Sequence, residues 1–594
     1  MSLIIRILLC ILLVSVFYIV SYTHLIAYNK KRKRKILLAL GVLLLLTYNL
    51  NTIIDNVEYY RLSFTKYKNI PESSPLSIPV INAEYTRYNI NGYSFKANSI
   101  TSNCQNLEVQ SNLQVTRKYE LVDDMYSIRR RISQMLLKNS MFENCFLDEP
   151  DETEEEILAT KWFRFGGSSA WLSKYKIQFL VSRIIYSNLS KKNDPTMSVL
   201  HVQVYNRDWR ELKNHKIEVL QNDEPLIFPQ VLNIPSFQSP ANRFGLMGPE
   251  DPRVIVRNFK TPKGEEDQEP IVVFNMLDDN INKKRGMHIF KPFAREDDES
   301  RFLLLRLGDL LPRKIEKNWI PFFIDDEQDE FLHFMYSIDP LLIVKCSLTN
   351  GMCYWVFGPE FDNALQIEDH NVQDIGAMRG GTNLIRIPDY VYDKNRLINR
   401  NKQYWIGFPR SHNDNCGCTK VTYRPHMMIL SRNLKDKTYK LEYMSTLLDF
   451  NMEVLSWEKG KTVCESGKSV MIPNGIAYWD FLKEWDDEEK KATIKDDYMG
   501  LIISESDTNI VLIHIRGFYY YVLKILKNLE MKEVLKNSQS GKSKADKEEE
   551  LELDFDVAEY QNNKMVKCAL EDAPKYCKIN GLLDLLMKDN KDDE

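Results

Sequence analysis

Apolar and polar positions follow two regimes along this chain. At the N-terminus they do not alternate. Leu3 to Ala27 is almost wholly apolar, broken by Arg6 and a few polar residues. Lys30-Lys31-Arg32-Lys33-Arg34-Lys35 follows, then a second apolar run, Ile36 to Leu46, fading near Ile54. Each run approaches the roughly 20 residues that a membrane span needs. Neither shows the short core and small-residue cleavage site of a removed signal peptide. From about residue 160 the pattern becomes short runs rich in β-branched and aromatic residues, separated by turn residues. Examples are Ile177-Gln178-Phe179-Leu180-Val181, Val199-Leu200-His201-Val202-Gln203-Val204, Ile271-Val272-Val273-Phe274, Phe331-Leu332-His333-Phe334, Tyr404-Trp405-Ile406 and Ile510-Val511-Leu512-Ile513. No strand–helix alternation of the doubly wound kind appears. The runs predict a mainly β domain, and so many strands are long for one sandwich and favour a β-propeller.

The basic cluster between the apolar runs belongs on the cytosolic side, so the bulk of the chain is expected in a lumen. The expectation is a single-pass, type II signal anchor over 1–55, with a second span left open. A stem over 56–155 carries Pro71, Pro75 and Pro79 and the acidic run Asp148 to Glu156, read as a solvated loop. A catalytic domain spans 156–520, and a charged helical extension spans 521–594. The anchor is short, which suits the thinner membranes of the early secretory pathway, hence the Golgi. Chain length, 594 residues, allows a large core, and a net charge of −4 gives no footprint for nucleic acid.

The chain has ten cysteines, all but Cys10 beyond the anchor. In an oxidising lumen disulfides among these nine are expected, and the odd count leaves at least one thiol free or intermolecular. Cys346 with Cys353 and Cys568 with Cys577 are plausible neighbours, although sequence cannot fix connectivity. A zinc site is the competing reading of Cys416-Gly417-Cys418, but the gap is tight and no second pair matches it. Asn188-Leu189-Ser190 is a glycosylation sequon compatible with a lumenal address.

The segment with most chemistry is Gly248-Pro249-Glu250-Asp251-Pro252-Arg253-Val254. Pro249 and Pro252 fix their own φ and push the preceding residues towards extended backbone. A rigid loop then presents two carboxylates and an arginine, groups suited to proton transfer and phosphate binding. Further segments form a colinear series with it: Phe165-Gly166-Gly167-Ser168-Ser169-Ala170-Trp171, Tyr205-Asn206-Arg207-Asp208-Trp209, Glu269-Pro270-Ile271-Val272-Val273-Phe274-Asn275-Met276, and Lys317-Asn318-Trp319-Ile320-Pro321-Phe322. Tyr336-Ser337-Ile338-Asp339-Pro340, Arg379-Gly380-Gly381-Thr382, Tyr423-Arg424-Pro425-His426 and Ile472-Pro473-Asn474-Gly475-Ile476 continue it.

This series, with the N-terminal anchor, resembles the β-mannosyltransferases of yeasts, over about residues 160 to 520. The Glu-Asp-Pro-Arg element also resembles that of the mannoside phosphorylases, which are five-bladed β-propellers. The first resemblance implies transfer of mannose from GDP-mannose, in β-1,2 linkage, to phosphopeptidomannan of the cell wall, with no cofactor. The second implies that Asp251 is the catalytic carboxylate, acting through a sugar hydroxyl, with Glu250 orienting sugar or Arg253. An α-linked donor giving a β-linkage requires one inverting displacement.

A diphosphate leaving group needs a metal or basic side chains. The Asp-x-Asp sequence, Asp554-Phe555-Asp556, sits in the charged tail and reads as a solvated run, so no metal site is assigned. Arg253, Lys317, Arg379, Arg424 and His426 lie in the matched segments and are the candidate anion ligands. Arg183 joins them, with an edge cation as its alternative. Trp162, Trp171 and Trp209 either stack on sugar or, as strand tryptophans more often do, fill the core. Two other activities stay open: a lumenal β-mannoside phosphorylase or hydrolase, and a non-catalytic glycan-binding propeller.

Overall fold

The computed structural model describes residues 70–579, apart from 95–104, 108, 110–111, 137–150, 221, 223, 235–236, 239–245, 262–263, 283, 309–314, 329, 359–377, 389–400, 487–490 and 540–563. The expected anchor, the basic cluster and Asp554-Phe555-Asp556 lie outside the described residues. Among the described residues no helix is long and apolar enough to cross a membrane.

The expected mainly β architecture is present. Five antiparallel meanders follow one another along the chain. The first sheet is built on Trp162–Leu172, Ile177–Tyr186 and Met197–Tyr205. The second runs through Glu250–Lys260, Glu266–Asp278, Lys284–Phe290 and Phe302–Leu304. The third uses Ile320–Phe322, Phe331–Ser337, Leu342–Ser347 and Met352–Phe357. Ile385–Arg386, Lys402–Gly407, Met428–Asn433 and Tyr439–Ser445 form the fourth. The fifth is Lys468–Asp486, Lys491–Glu505 and Asn509–Arg516. An inserted hairpin, Arg410–Cys416 with Thr419–Pro425, leaves the fourth meander and pairs in parallel with Lys468–Asp486.

The near-continuous apolar runs have a direct cause. Successive strand residues point to opposite faces, and here both faces are covered. Val254, Val272 and Phe274 pack towards the first sheet, whereas their neighbours Ile255, Ile271 and Val273 pack towards the third. Ile320, Phe322 and Ile343 meet Trp405, Leu430 and Tyr439 between the third and fourth sheets. Tyr404, Ile406 and Tyr443 meet Leu501, Ile503 and Ile513 between the fourth and fifth. The fifth sheet also touches the first. A Cβ on Gly475 would stand 2.5 Å from Ser168 Oγ, and one on Gly167 would stand 2.6 Å from Ile510 Cγ2. Two strands therefore approach so closely that only glycine fits.

The segment expected as a stem holds strands. Gln114–Thr116 and Tyr119–Glu120 pair with Asn509–Arg516, and Gly92–Ser94 pairs with Tyr439–Ser445. Of the acidic run, Asp151 and Glu154 to Glu156 are exposed, but its second half is not loop. Thr153 caps the helix Glu154–Lys161 through a capping box with Glu156, and Glu154 to Glu156 fill the first turn, where the helix dipole favours negative charge. The sequon lies in the turn between Ile177–Tyr186 and Met197–Tyr205, with Leu189 61% exposed.

Cys346 and Cys353 are bonded as expected. Cys568 does not pair with Cys577: Cys577 bonds Cys416 across a sequence separation of 161, and Cys568 is in another disulfide. Cys418 bonds Cys464, so the zinc reading of Cys416 and Cys418 falls. The long bridge ties the helical segment within 564–579 to the inserted hairpin, where Met565, Val566 and Ala569 complete the core between the third and fourth sheets. In the chain-entropy account, closing so long a loop contributes about 5 kcal/mol.

One buried carboxyl carries a measurable pH signature. Asp497 accepts from Trp479 Nε1 (2.7 Å) and from the amide of Tyr519 (2.8 Å), fastening the helix Phe518–Gln539 to the fifth sheet. Burial pushes it up to about 7, against the pull of those two donors. The folded state therefore holds a proton that the unfolded chain releases near pH 3.9 or so, and stability declines as pH rises from about 4 to 7. Thermal melts of wild type and Asp497→Asn test this. The variant should gain on wild type by about 2 kcal/mol between pH 5 and 8, and parallel pH dependences would contradict it.

Candidate active site

The Glu250-Asp251-Pro252-Arg253 stretch opens the strand Glu250–Lys260, and its pairing with Glu266–Asp278 slips between Glu250 and Arg253. This bulge corrects the expected backbone. Asp251 is not extended but left-handed, at φ 53°. Aspartate tolerates that region better than most residues. Its Oδ2 is approached by Asn275 Nδ2 at 3.5 Å, and the same amide lies 3.3 Å from the Glu250 carbonyl.

Arginines surround the pair. Glu250 lies 3.2 Å from Arg183 Nη2 and 3.1 Å from Arg285 Nη1. Arg285 also donates to Asn275 Oδ1 at 2.8 Å. Arg183 donates to Ser198 Oγ (2.9 Å), which donates to the Pro249 carbonyl (2.6 Å). Arg183 is thus fixed within the site and is no edge cation. Arg253 is buried and donates to the carbonyls of Gly381 and, at 2.8 Å, Pro252. Arg410 donates to the Gly380 carbonyl and, at 2.9 Å, to Asn318 Oδ1. The two glycines are required: a Cβ on Gly380 would stand 1.9 Å from the Asn318 carbonyl oxygen, and one on Gly381 would stand 2.0 Å from that of Phe408.

Electrostatics join these residues to Lys317 and Arg379. Burial pushes Asp251 up, but Arg410, Arg253, Arg183 and Lys317 outweigh it and hold its carboxyl below the ordinary range. Burial pushes Lys317 down, Asp251 holds it up, and Arg379, Arg285 and Arg410 push it down again. The side chains of Lys317 and Arg379 make no hydrogen bond or ion pair among the described residues. Cations outnumber carboxylates here, which leaves a site suited to an anion.

Asp251, Glu250, Arg253, Arg183, Lys317 and Arg379 are therefore brought together. Arg424 and His426 are not. Arg424 is spent on Ser469 Oγ (2.8 Å), the Ser469 carbonyl (3.0 Å) and Tyr576 Oη (2.8 Å), where it holds the C-terminal helical segment. His426 is fully buried between the Ser445 carbonyl and Ser411 Oγ, each 2.8 Å away, and burial pushes it down to about 4. A neutral, enclosed imidazole has no anion to meet. Trp162 and Trp209 are core residues, and Trp171 donates to the Ser73 carbonyl at 2.6 Å.

Sequence reasoning missed Arg410, Arg285 and Asp507. Phe408-Pro409-Arg410 has the same form as the chosen motifs, an arginine beside a proline at a strand end. Arg285 and Asp507 carry no such mark. Asp507 lies in the turn before Asn509–Arg516, within electrostatic reach of Asp251, Arg183, Lys192 and Arg410. Among the described residues no group of three or more His, Cys, Asp or Glu side chains could hold a metal ion.

Comparison with known proteins bears on this site. The β-mannosyltransferase family model matches residues 103–294 and 295–576. β-Mannosyltransferase 3 of Candida albicans is 37% identical over 451 residues, 75% of this chain and 76% of that protein. β-Mannosyltransferase 4 of Komagataella phaffii is 30% identical over 573 residues, 94% of this chain and 98% of that one. Among solved structures, one from the GH130 family of mannoside phosphorylases, described as containing glycoside hydrolases that target β-1,2 mannosidic linkages in Candida mannan, aligns with a TM-score of 0.27 and 11% identity, over 59% of this chain and 84% of that one. With both halves matched by one family model and relatives alike over most of their length, the chain belongs to the β-mannosyltransferase family and is a glycosyltransferase that forms β-mannosidic linkages.

Proposed function

We propose that the enzyme transfers mannose from GDP-mannose, with inversion and in β-1,2 linkage, to mannan oligosaccharides of the yeast cell wall. The observation that carries this reading is the cation surplus around Asp251, where the Lys317 and Arg379 side chains make no hydrogen bond or ion pair among the described residues. A nucleoside diphosphate supplies the missing anion. The chemistry is one displacement. The acceptor oxygen bonds to the anomeric carbon as the bond to the diphosphate breaks, and the electron pair leaves on GDP. Lys317, Arg379, Arg410 and Arg253 stabilise that developing charge. Asp251 is the catalytic carboxylate on the transferred sugar. Held ionised by its neighbours, it opposes the positive charge growing at the anomeric carbon and orients the sugar through a hydroxyl. Glu250, braced by Arg183 and Arg285, helps grip the sugar.

A five-bladed propeller is the architecture we assign. Five meanders in chain order, each sharing a core with the next, with the fifth touching the first, support it. The site residues come from every meander or from the loops beside it, as at the end of a propeller's central channel. The apolar N-terminus and the disulfides support a Golgi enzyme with a single-pass, type II anchor and a lumenal catalytic domain.

Three measurements test this reading. Incubation with GDP-mannose and defined mannosides should give β-1,2-linked product and GDP, and it should do so in excess EDTA. Release of mannose 1-phosphate from β-mannosides instead would support a phosphorylase, and loss of transfer restored by manganese would reveal a metal site.

Asp251→Asn keeps the loop and removes the charge. It should lower transfer roughly 10²–10⁴-fold with GDP affinity little changed, whereas Arg253→Ala should weaken both. Near wild-type transfer by folded Asp251→Asn would make the motif a structural turn.

In sealed microsomes, residues beyond about 60 should be protected from protease without detergent. Digestion there would overturn the lumenal assignment.

A further inference from the structure

The catalytic carboxylate just described leaves one question of chemistry open, the destination of the acceptor's proton. A second carboxylate stands at the site. Ser506 and Asp507 are consecutive left-handed residues, at φ 51° and 46°, in the turn between Lys491–Glu505 and Asn509–Arg516. Non-glycine residues enter that region in succession only where their surroundings hold them there. The surroundings here are explicit. The Ser506 amide donates to the Val470 carbonyl (2.9 Å), and its hydroxyl donates to the Leu455 carbonyl (2.7 Å). Lys192 donates to the Ser506 carbonyl (3.1 Å) and to Thr508 Oγ1 (2.5 Å). Three residues earlier, Ser504 Oγ accepts from the Gly166 amide at 3.2 Å, and the open Cβ position of Gly166 faces Arg183 and Pro252 at 3.8 and 3.9 Å. The hairpin is thus seated beside the loop that carries Asp251.

The backbone of this turn is tied on every side, yet the Asp507 carboxylate makes no hydrogen bond or ion pair among the described residues. The charged groups within electrostatic reach of it are Asp251 and Arg183, Arg410 from the inserted hairpin, and Lys192 from the first sheet's turn. The next residue, Thr508, lines a cavity of 1210 Å³ whose wall also holds Phe163, Lys192, Trp457 and Lys468. Pockets for one small ligand are usually about 300–1,000 Å³, so this one has room for several sugar units. Asp507 thus directly precedes a residue of the cavity wall and lies within electrostatic reach of Asp251.

We propose that Asp507 is the general base of transfer, receiving the proton of the attacking acceptor hydroxyl, and that the acceptor mannoside reaches it along this cavity. The proposal rests on the mannosyl-transfer reading above. The acceptor O–H bond breaks and its proton passes to Asp507. The oxygen bonds to the anomeric carbon, and the nucleoside diphosphate leaves with the electron pair. The environments of the two carboxylates suit this division. Burial and the charge of Asp251 push Asp507 up to about 6, while Arg183, Lys192 and Arg410 pull it down. Asp251 is held in the opposite direction. A base works best with its pKa near the working pH, and a carboxylate clamped by cations is a weak one.

The test uses the full chain. Asparagine is at home in left-handed backbone, so Asp507→Asn preserves the turn. Transfer from GDP-mannose is followed against pH, with GDP affinity measured by calorimetry. Wild-type kcat/KM should fall as pH drops below about 6, because the base becomes protonated. Asp507→Asn should lose that limb and run roughly 10²–10⁴-fold slower, with GDP affinity unchanged or tighter. Asp507→Glu should keep the limb. Added formate should partly restore Asp507→Ala. If Asp507→Asn transfers within about threefold of wild type, or keeps the acid limb, the assignment is overturned while the transfer reading stands. A wild type that binds GDP but forms no β-mannoside overturns the transfer reading and this assignment with it.

Discussion

Concentrating guanidiniums around one carboxylate is unfavourable unless each is given oxygen of its own, and the centre of this molecule is arranged to provide it. Arg253 and Arg410 donate to the carbonyls of Gly381 and Gly380, Arg183 and Arg285 share Glu250, and Arg410 reaches Asn318. Like charges in a low-dielectric site repel strongly, so the carbonyl and carboxylate partners are what make the cluster tolerable. The glycine pair at 380 and 381 follows from this constraint. Side chains there would collide with the carbonyls of Asn318 and Phe408 and move the acceptors that Arg253 and Arg410 require. The bulge at Asp251 follows as well, since a regular strand would turn its carboxylate to another face.

Two levels of construction keep this cluster in place. Alternate residues of each strand bury against different neighbouring sheets, so a shift in one sheet is felt in two cores. Strands from residues 85–120 then cover edges of the fourth and fifth sheets, and the Cys416–Cys577 bridge closes the C-terminal segment over the inserted hairpin. Covering edges removes unpaired backbone groups that would invite association. Arg424 serves this closure through Tyr576, which is why an arginine in a motif so like the others stays out of the charge cluster.

Most of the candidate residues that the fold brings together share one property. Asp251, Glu250, Arg253 and Arg379 sit beside proline or glycine at strand ends, where backbone geometry is special and the pattern of the chain reveals it, whereas Lys317 and Arg183 have no such neighbour. Arg424 and His426 have the same local mark, but their surroundings direct them inward to Ser469 and Ser445. Strand content was legible for the same kind of reason. Runs such as Ile271 to Phe274 are apolar on both faces because both faces are covered. The strands Trp162–Leu172 and Lys468–Asp486 were the least legible. They carry Gly166-Gly167 and Pro473-Asn474-Gly475, which read as breakers in isolation but serve bulges and close approach in the assembled sheets.

By itself, then, the sequence determined the class of architecture, marked Cys346 and Cys353 as plausible partners, and singled out the Glu250-Asp251-Pro252-Arg253 loop. Each of these is written in short-range pattern: alternation, spacing and turn residues. Tertiary structure alone decided which arginines face Asp251, that Cys577 reaches back to Cys416, and that Asp507 joins the site. Those partners lie far apart in sequence, on different sheets, and their approach is set by how whole sheets pack. No local preference of an arginine or an aspartate encodes the identity of its distant neighbour, because the energy that brings them together belongs to the cores between sheets and not to the residues themselves.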